Sequence, residues 1–186
     1  MKNQTRFSQF LYAQTSTKLV IQSIITFMLY AVFVMLSGTK KMEELSGNSV
    51  EILDLTFGYS ISEFNAIVSI YSEEARHFAA FFTITADVVY PLVYGFLLSF
   101  WIALIFRPMH QKSGKWKNLP LLPLVIILVD LVENGLLYQL LYTFPNQSNI
   151  LVQIASILTQ TKWSLLIICF LLIISGGIIR IKQKRT

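Results

Sequence analysis

The sequence contains few charged residues and almost no cysteine. Only 13% of its 186 residues are charged and 54% are hydrophobic, whereas about a quarter of a typical soluble domain is charged. The single cysteine, Cys169, can form neither a C-x-x-C redox pair nor a cysteine-rich metal site. A four-span thiol oxidoreductase linked to quinone is therefore excluded, and we expect no metal and no cofactor.

Motifs of the common enzyme classes are missing as well. The chain has no glycine-rich phosphate loop, no H-E-x-x-H zinc motif and no nucleophile elbow. It also shows no internal repeat, which argues against a transporter built from inverted repeats within one chain. The sequence thus names no catalytic residue and leaves enzymatic activity an open question.

Long apolar runs dominate what is present. Four runs, at about 19–37, 79–106, 119–143 and 156–179, reach the length of about 20 residues that crosses a bilayer. Connections use nearly all the other residues, so we predict one transmembrane domain over 1–186, an all-α antiparallel four-helix bundle. The first run is longer than the apolar part of a secretory signal, and no A-x-A site follows it, so we expect a retained anchor.

The basic residues predict the orientation of these runs. Eleven of the fifteen lie near the N-terminus, in the connection between the second and third runs, or in the C-terminal tail: Lys2, Arg6, Lys18, Arg107, Lys112, Lys115, Lys117, Arg180, Lys182, Lys184 and Arg185. By the positive-inside rule these three regions should be cytoplasmic. The positive charge indicates contact with anionic membrane lipids, and a nucleic-acid partner is not needed to explain it.

The first connection, 38–78, carries seven of the ten acidic residues and should lie on the outer side. Its second half predicts an amphipathic helix over about 61–78, because apolar residues recur there at helical spacing. Ser60 and Glu63 fit the S-x-x-E capping box at its start. This helix could anchor the second span or cover a binding site as a lid.

The other three acidic residues, Asp87, Asp130 and Glu133, lie inside apolar runs. An ionised carboxylate at the centre of a lipid-exposed span costs about 2.5–3.5 kcal/mol on insertion scales. We therefore expect all three to face the protein interior, where they can pair or form hydrogen bonds. Packing alone, through interhelical hydrogen bonds, is the alternative to a functional site.

Helical spacing groups these acids with other polar side chains. In the second run, an Asp, two Tyr and a Pro share one stripe, and in the third run Asp130, Glu133 and Asn134 share another. Pro91 should release the carbonyl of Asp87 as a further acceptor. We predict an outward-biased polar pocket with eight candidate ligand-binding residues: Asp87, Tyr90, Pro91, Tyr94, Asp130, Glu133, Asn134 and Lys162.

The segments "GYSISEF", "DVVYPLVYG", "VDLVENGLL" and "TKW" carry a resemblance. From Asp54 onward the chain resembles a family of small bacterial four-span membrane proteins with a D-x-x-Y-P element in the second span and a D-x-x-E-N element in the third. The resemblance implies a bacterial inner membrane and adds weight to the candidate residues, but it implies no activity. In span order and outer-loop length the chain is also similar to the sterol-isomerase and sigma-2-receptor-like fold, which is an analogy of layout.

Three functions fit this pattern. The first is an intramembrane pocket that binds a small lipophilic or cationic ligand, because such pockets combine apolar walls with a few convergent polar groups. The second is an accessory or assembly subunit of a larger membrane complex, and the third is a proton- or cation-coupled transport component. We expect membrane lipids as partners, and a homo-oligomer is compatible with all three.

Overall fold

The computed structural model describes residues 5–113 and 116–185, without the side chains of 112–113 and 183–185. Lys2 and Lys115, and the side chains of Lys112, Lys184 and Arg185, contribute to the predicted orientation but lie outside these described parts. Across the described chain the fold is all-helical, with 86% helix and no strand. The predicted all-α class is therefore confirmed.

The helices within the described ranges are numbered in chain order. They are α1 (Arg6–Gln14), α2 (Thr17–Ser46), α3 (Ile61–Ile70), α4 (Glu73–Ile84), α5 (Ala86–Ser113), α6 (Leu122–Thr143) and α7 (Asn149–Arg185). Four stretches are long and apolar enough to cross a membrane: α2, Ala86–Gln111, Leu119–Thr143 and Asn149–Lys182. Each corresponds to one of the apolar runs in the sequence.

The first candidate span is longer than its apolar run. Helix α2 continues past the predicted end at 37 through "GTKKMEELS", because Lys, Met and Glu are good helix formers. It ends where Gly47 adopts a left-handed conformation, with φ of 69°. Within α2, one π-helical segment spans Ala31–Met35.

The single helix predicted over about 61–78 is wrong, because the structure has two helices there. Helix α3 ends at Ile70, and the extended Ser72 caps α4 by accepting a hydrogen bond from the backbone N–H of Ala75. A second break at Thr85 separates α4 from α5, so the candidate span begins at 86 and not at 79. The capping box at Ser60 and Glu63 is present as predicted.

The chain forms two compact units. Unit 1 comprises Met1–Phe27, Leu92–Ile127 and Ser164–Thr186, and unit 2 comprises Met28–Pro91 and Leu128–Trp163. By sequence, unit 1 contains eleven basic and no acidic residues, whereas unit 2 contains four basic and all ten acidic residues. The expected single transmembrane domain stays a prediction.

Each unit has its own buried apolar residues. In unit 2, Phe64 and Val68 of α3 pack with Leu140 of α6 and Val152 of α7. This core holds the segments before and after α3 in place. Both segments carry side chains that take part in the site described next.

Candidate functional site

One face of α7 supplies four polar contacts within unit 2. Ser156, Thr159, Lys162 and Trp163 recur at spacings of three and four residues, so they share one side of the helix. The Ser156 hydroxyl accepts a hydrogen bond of 2.8 Å from the backbone N–H of Tyr59. The other three side chains each contact a carboxyl-bearing residue.

The ammonium group of Lys162 lies at the centre of these contacts. Its Nζ is 2.9 Å from Glu133 Oε2, 3.5 Å from Asp130 Oδ1 and 3.7 Å from Asp54 Oδ2. Thr159 donates a hydrogen bond of 2.6 Å to the other oxygen of Glu133. Lys162, Asp130 and Glu133 are buried, and Glu133 is fully inaccessible to solvent. A buried lysine is thus stabilised by several carboxylates at once.

Asp54 reaches this cluster from the connection between α2 and α3. It lies in a single turn of 3-10 helix, Leu53–Leu55, where buried Leu53 anchors the turn in the core. The indole N–H of Trp163 donates a hydrogen bond of 3.1 Å to the backbone carbonyl of Asp54. Helix α7 therefore holds this turn through both its indole and its neighbouring ammonium group.

Asp87 is the second residue of α5 and is 5% exposed. The amide group of Asn134 donates a hydrogen bond of 3.2 Å to its backbone carbonyl, the acceptor that buried Pro91 releases. The sequence predicts a free acceptor at this carbonyl, and Asn134 is the donor that bonds to it. Asn134 is fully buried, and its Oδ1 has no hydrogen-bond partner among the described residues.

The two candidate tyrosines lie in different units. Tyr90 belongs to unit 2, where its ring stacks on that of Tyr30 with centroids 6.3 Å apart. It also interacts electrostatically with Asp87 and Lys162. Tyr94 belongs to unit 1, where it is buried.

A cavity of about 60 Å³ lies next to the cluster within unit 2. Asp54, Asp87 and Tyr71 line it on the polar side. Most of its remaining wall is apolar and comes from α2, α4 and α6: Met35, Met42, Ala79, Phe82, Leu137 and Leu141. The carboxyl groups of two different segments thus border one mostly apolar space.

Carboxyl groups outnumber cationic groups in this cluster. Asp87 interacts electrostatically with Asp54, Asp130, Glu133 and Lys162, so four carboxyl groups act on one ammonium. Within the described ranges, no group of three His, Cys, Asp or Glu side chains is placed to hold a metal ion. Its excess of carboxyl groups can complement an organic cation or exchange protons.

Two tyrosines that lie outside the candidate spans border the cluster or its cavity. Burial raises the pKa of Tyr59 far above its ordinary value, and the negative charge of Glu133 adds to the rise. Burial likewise raises the pKa of Tyr71, whose hydroxyl donates to the backbone carbonyl of Glu51. Both phenols therefore stay protonated at neutral pH, and that of Tyr71 acts as a hydrogen-bond donor.

Four contributors escaped the sequence-based prediction: Asp54, Tyr59, Ser156 and Thr159. Asp54 lies among the acids of a polar connection, and nothing in its local pattern shows that its turn folds inward. Thr159 and Ser156 do carry a signal, because they continue the stripe of Lys162 at helical spacing.

Comparisons with known proteins return no match to any family model, curated protein or solved structure. The resemblance to small bacterial four-span proteins therefore stays a prediction.

Proposed function

We propose that the protein is a multi-pass membrane protein that binds a small lipophilic cation in the cavity of unit 2. In this proposal the four candidate spans form an antiparallel bundle in the inner membrane of a bacterium. Both termini and the connection near Arg107 are cytoplasmic, because they contain basic residues and no acidic ones. We assign the site a binding role and no catalytic step.

The observation that carries the proposal is the position of incompletely compensated carboxyl groups beside an apolar cavity. Asp54 and Asp87 border the cavity, whereas Glu133 and Asp130 are absent from its described lining. Lys162 is closest to Glu133, at 2.9 Å, and farther from Asp54, at 3.7 Å. Lys162 therefore compensates Asp54 and Asp87 less directly than it compensates Glu133. Asp54 and Asp87 are also the carboxyl groups that a ligand in the cavity would contact.

The size and lining of the cavity define the ligand class. A single water molecule needs a cavity of about 10–15 Å³. The cavity of about 60 Å³ in unit 2 therefore accommodates an ammonium group with its nearest carbons. Met35, Met42 and Phe82 offer flexible and aromatic surface to an alkyl chain, and methionine adapts well to irregular apolar shapes. A primary or methylated alkylamine satisfies both requirements.

The proposal is tested by the thermal stability of the purified protein in lipid nanodiscs. Butylamine, hexylamine and octylamine are compared with butanol, hexanol and octanol, which share the chain but lack the charge. An amine at about a hundred times its Kd adds roughly 2.7 kcal/mol, which raises the melting temperature by about 5–10 °C in a chain of this size. The alcohols should have a much smaller effect.

Two variants and one control assign the effect to the site. Asp54→Asn and Asp87→Asn should each abolish most of the amine response, because each removes a carboxyl group that can pair with an ammonium group in the cavity. Glu74→Gln makes the same acid-to-amide change at an exposed position of α4 in the same unit and should leave the response unchanged. An equal response in all four proteins would mean that amines act on the nanodisc and would refute the proposal.

The two other functions remain distinguishable from this one. A proton- or cation-coupled transport component requires flux in reconstituted vesicles that depends on the same carboxyl groups. An accessory subunit requires stable co-purification with a larger membrane protein, with the acid-to-amide variants affecting assembly alone. Absence of any amine response together with either result would replace ligand binding as the best-supported function.

A further inference from the structure

Unit 1 has the opposite charge character and contains a second recess. Its eleven basic residues are not balanced by any acidic residue in its three sequence segments. The recess measures about 360 Å³ and is lined by Gln9, Tyr12, Ala13, Arg107, His110 and Gln111. Its walls come from α1 and from the last turns of the candidate span in α5.

Helix α1 is fixed against the connection that follows α5. The Ser8 hydroxyl donates to the backbone carbonyl of Lys117, and the Tyr12 hydroxyl donates to that of Trp116 at 2.6 Å. The ring of Tyr12 also stacks on His110 with centroids 4.4 Å apart. The recess is thus built by side chains held in place on both of its sides.

Arg107 supplies a cationic donor to this recess. One of its terminal N–H groups donates to the backbone carbonyl of Thr15 at the end of α1. Its buried Nε has no hydrogen-bond partner among the described residues. Lys117 acts electrostatically on His110, which adds positive potential to the same place.

The exposed side of α1 is aromatic. Phe7 and Phe10 are 43% and 54% exposed, and their rings stack with centroids 6.2 Å apart. A short helix with exposed phenylalanines and a neighbouring cationic recess is typical of a segment lying in the membrane interface. The last turns of the candidate span Ala86–Gln111 contain Arg107, His110 and Gln111. In a membrane, the end of a span lies at the depth of the lipid headgroups.

We propose that the recess of unit 1 binds the phosphate group of an anionic phospholipid, with Phe7 and Phe10 inserted among the neighbouring acyl chains. The guanidinium of Arg107 and the side-chain amides of Gln9 and Gln111 are suitable donors for phosphate oxygens. The absence of carboxylates from the sequence of unit 1 removes the repulsion that an anion would otherwise meet. This inference is independent of the amine site, because it concerns residues of the other unit.

The test measures lipid binding to the full chain by native mass spectrometry in a neutral detergent. Dioleoyl phosphatidylglycerol is titrated against dioleoyl phosphatidylcholine, and inorganic phosphate and glycerol phosphate are titrated separately. Gln9→Glu places a carboxylate in the recess, and Gln14→Glu makes the same change at an exposed position of α1 outside the recess. We expect Gln9→Glu to weaken phosphatidylglycerol binding about fivefold and Gln14→Glu to leave it unchanged.

Other outcomes overturn the inference. Equal weakening by both glutamate variants would show diffuse attraction without a site. Equal binding of phosphatidylcholine would exclude recognition of net charge, and occupancy of the recess by inorganic phosphate alone at the same concentration would identify a free-anion site. Arg107→Lys provides a second variant, whose folding is judged by an unchanged melting temperature. If the folded variant binds phosphatidylglycerol as tightly as wild type, the Arg107 guanidinium is not the phosphate donor.

Discussion

Replacing Lys162 by methionine tests the charge cluster most directly. The substitution keeps most of the side-chain volume but removes an ammonium group that lies 2.9 Å from Glu133, 3.5 Å from Asp130 and 3.7 Å from Asp54. Removing one partner of a buried ion pair costs about 3–5 kcal/mol, because the remaining charge stays buried without compensation. We expect the Lys162→Met protein to lose stability within that range.

A double-mutant cycle separates the ion pair from other effects of the substitution. Glu133→Gln in a wild-type background removes the closest carboxylate and leaves Lys162 its two longer ion pairs. In the Lys162→Met background the same change removes an uncompensated charge, so it should cost little or stabilise the protein. The coupling energy between the two positions should be about 2–3 kcal/mol. Coupling to Asp54 should be weaker, because the distance is longer and the Asp54 side chain is 14% exposed.

The cycle is measured by unfolding in mixed micelles as the fraction of sodium dodecyl sulfate increases. Tryptophan fluorescence reports the transition, since Trp163 lies beside the cluster. Lys41→Met is the matched control, because Lys41 forms a 3.2 Å ion pair with Glu44 in which both side chains are more than half exposed. Exposed pairs contribute about 0.2–1 kcal/mol.

Either of two results would refute a stabilising ion pair between Lys162 and Glu133. One is a Lys162→Met protein as stable as the Lys41→Met control. The other is a double variant whose loss of stability equals the sum of the two single losses, which would mean that Lys162 and Glu133 do not stabilise each other.

Three further predictions concern local structure in unit 2 and use the same unfolding measurement. Ser60→Ala should destabilise the protein by about 1 kcal/mol, because it removes the N-cap of α3. Hydrogen bonds from Ser60 lower the pKa of Glu63, so this carboxylate stabilises the fold above its unfolded pKa and the stabilisation is lost as pH falls through its lower folded pKa. A wild-type pH profile identical to that of Glu63→Gln would contradict this. Gly38→Ala should cost about 1–3 kcal/mol, because an added Cβ would overlap the ring of Phe82. Gly135→Ala, where an added Cβ meets no described atom within 4 Å, should be neutral or stabilising, and equal effects at the two glycines would refute the steric argument.

The sequence predicts the four candidate spans because their length and apolar composition are local properties of the chain. Long apolar runs mark the four candidate spans, and the cost of a lipid-exposed carboxylate correctly indicates that Asp87, Asp130 and Glu133 are buried. The capping box at Ser60 and Glu63 is equally local, since it depends on residues three positions apart. Each of these features can be predicted without knowing which elements become neighbours.

Contacts between distant segments are where prediction from the sequence fails. Asp54 looks like any acid in a polar connection, and its contact with Lys162 depends on how Leu53 packs and on the Trp163 hydrogen bond. The break at Ser72 is missed for a different and local reason. The apolar spacing continues through it, so periodicity alone extends the helix, whereas the serine cap ends one helix and starts another.

The composition of the cluster argues for a role beyond packing. Buried ion pairs give little net stability compared with apolar residues of similar volume, so four carboxyl groups around one ammonium are a poor way to stabilise a helix contact. The polar stripes of α5 and α6 could be held together by neutral hydrogen bonds, such as the one that the Asn134 amide donates to the backbone carbonyl of Asp87. What the carboxyl groups add is negative potential beside the apolar cavity of unit 2. In the proposed binding role, this potential would stabilise a cation in that space beyond what Lys162 already compensates.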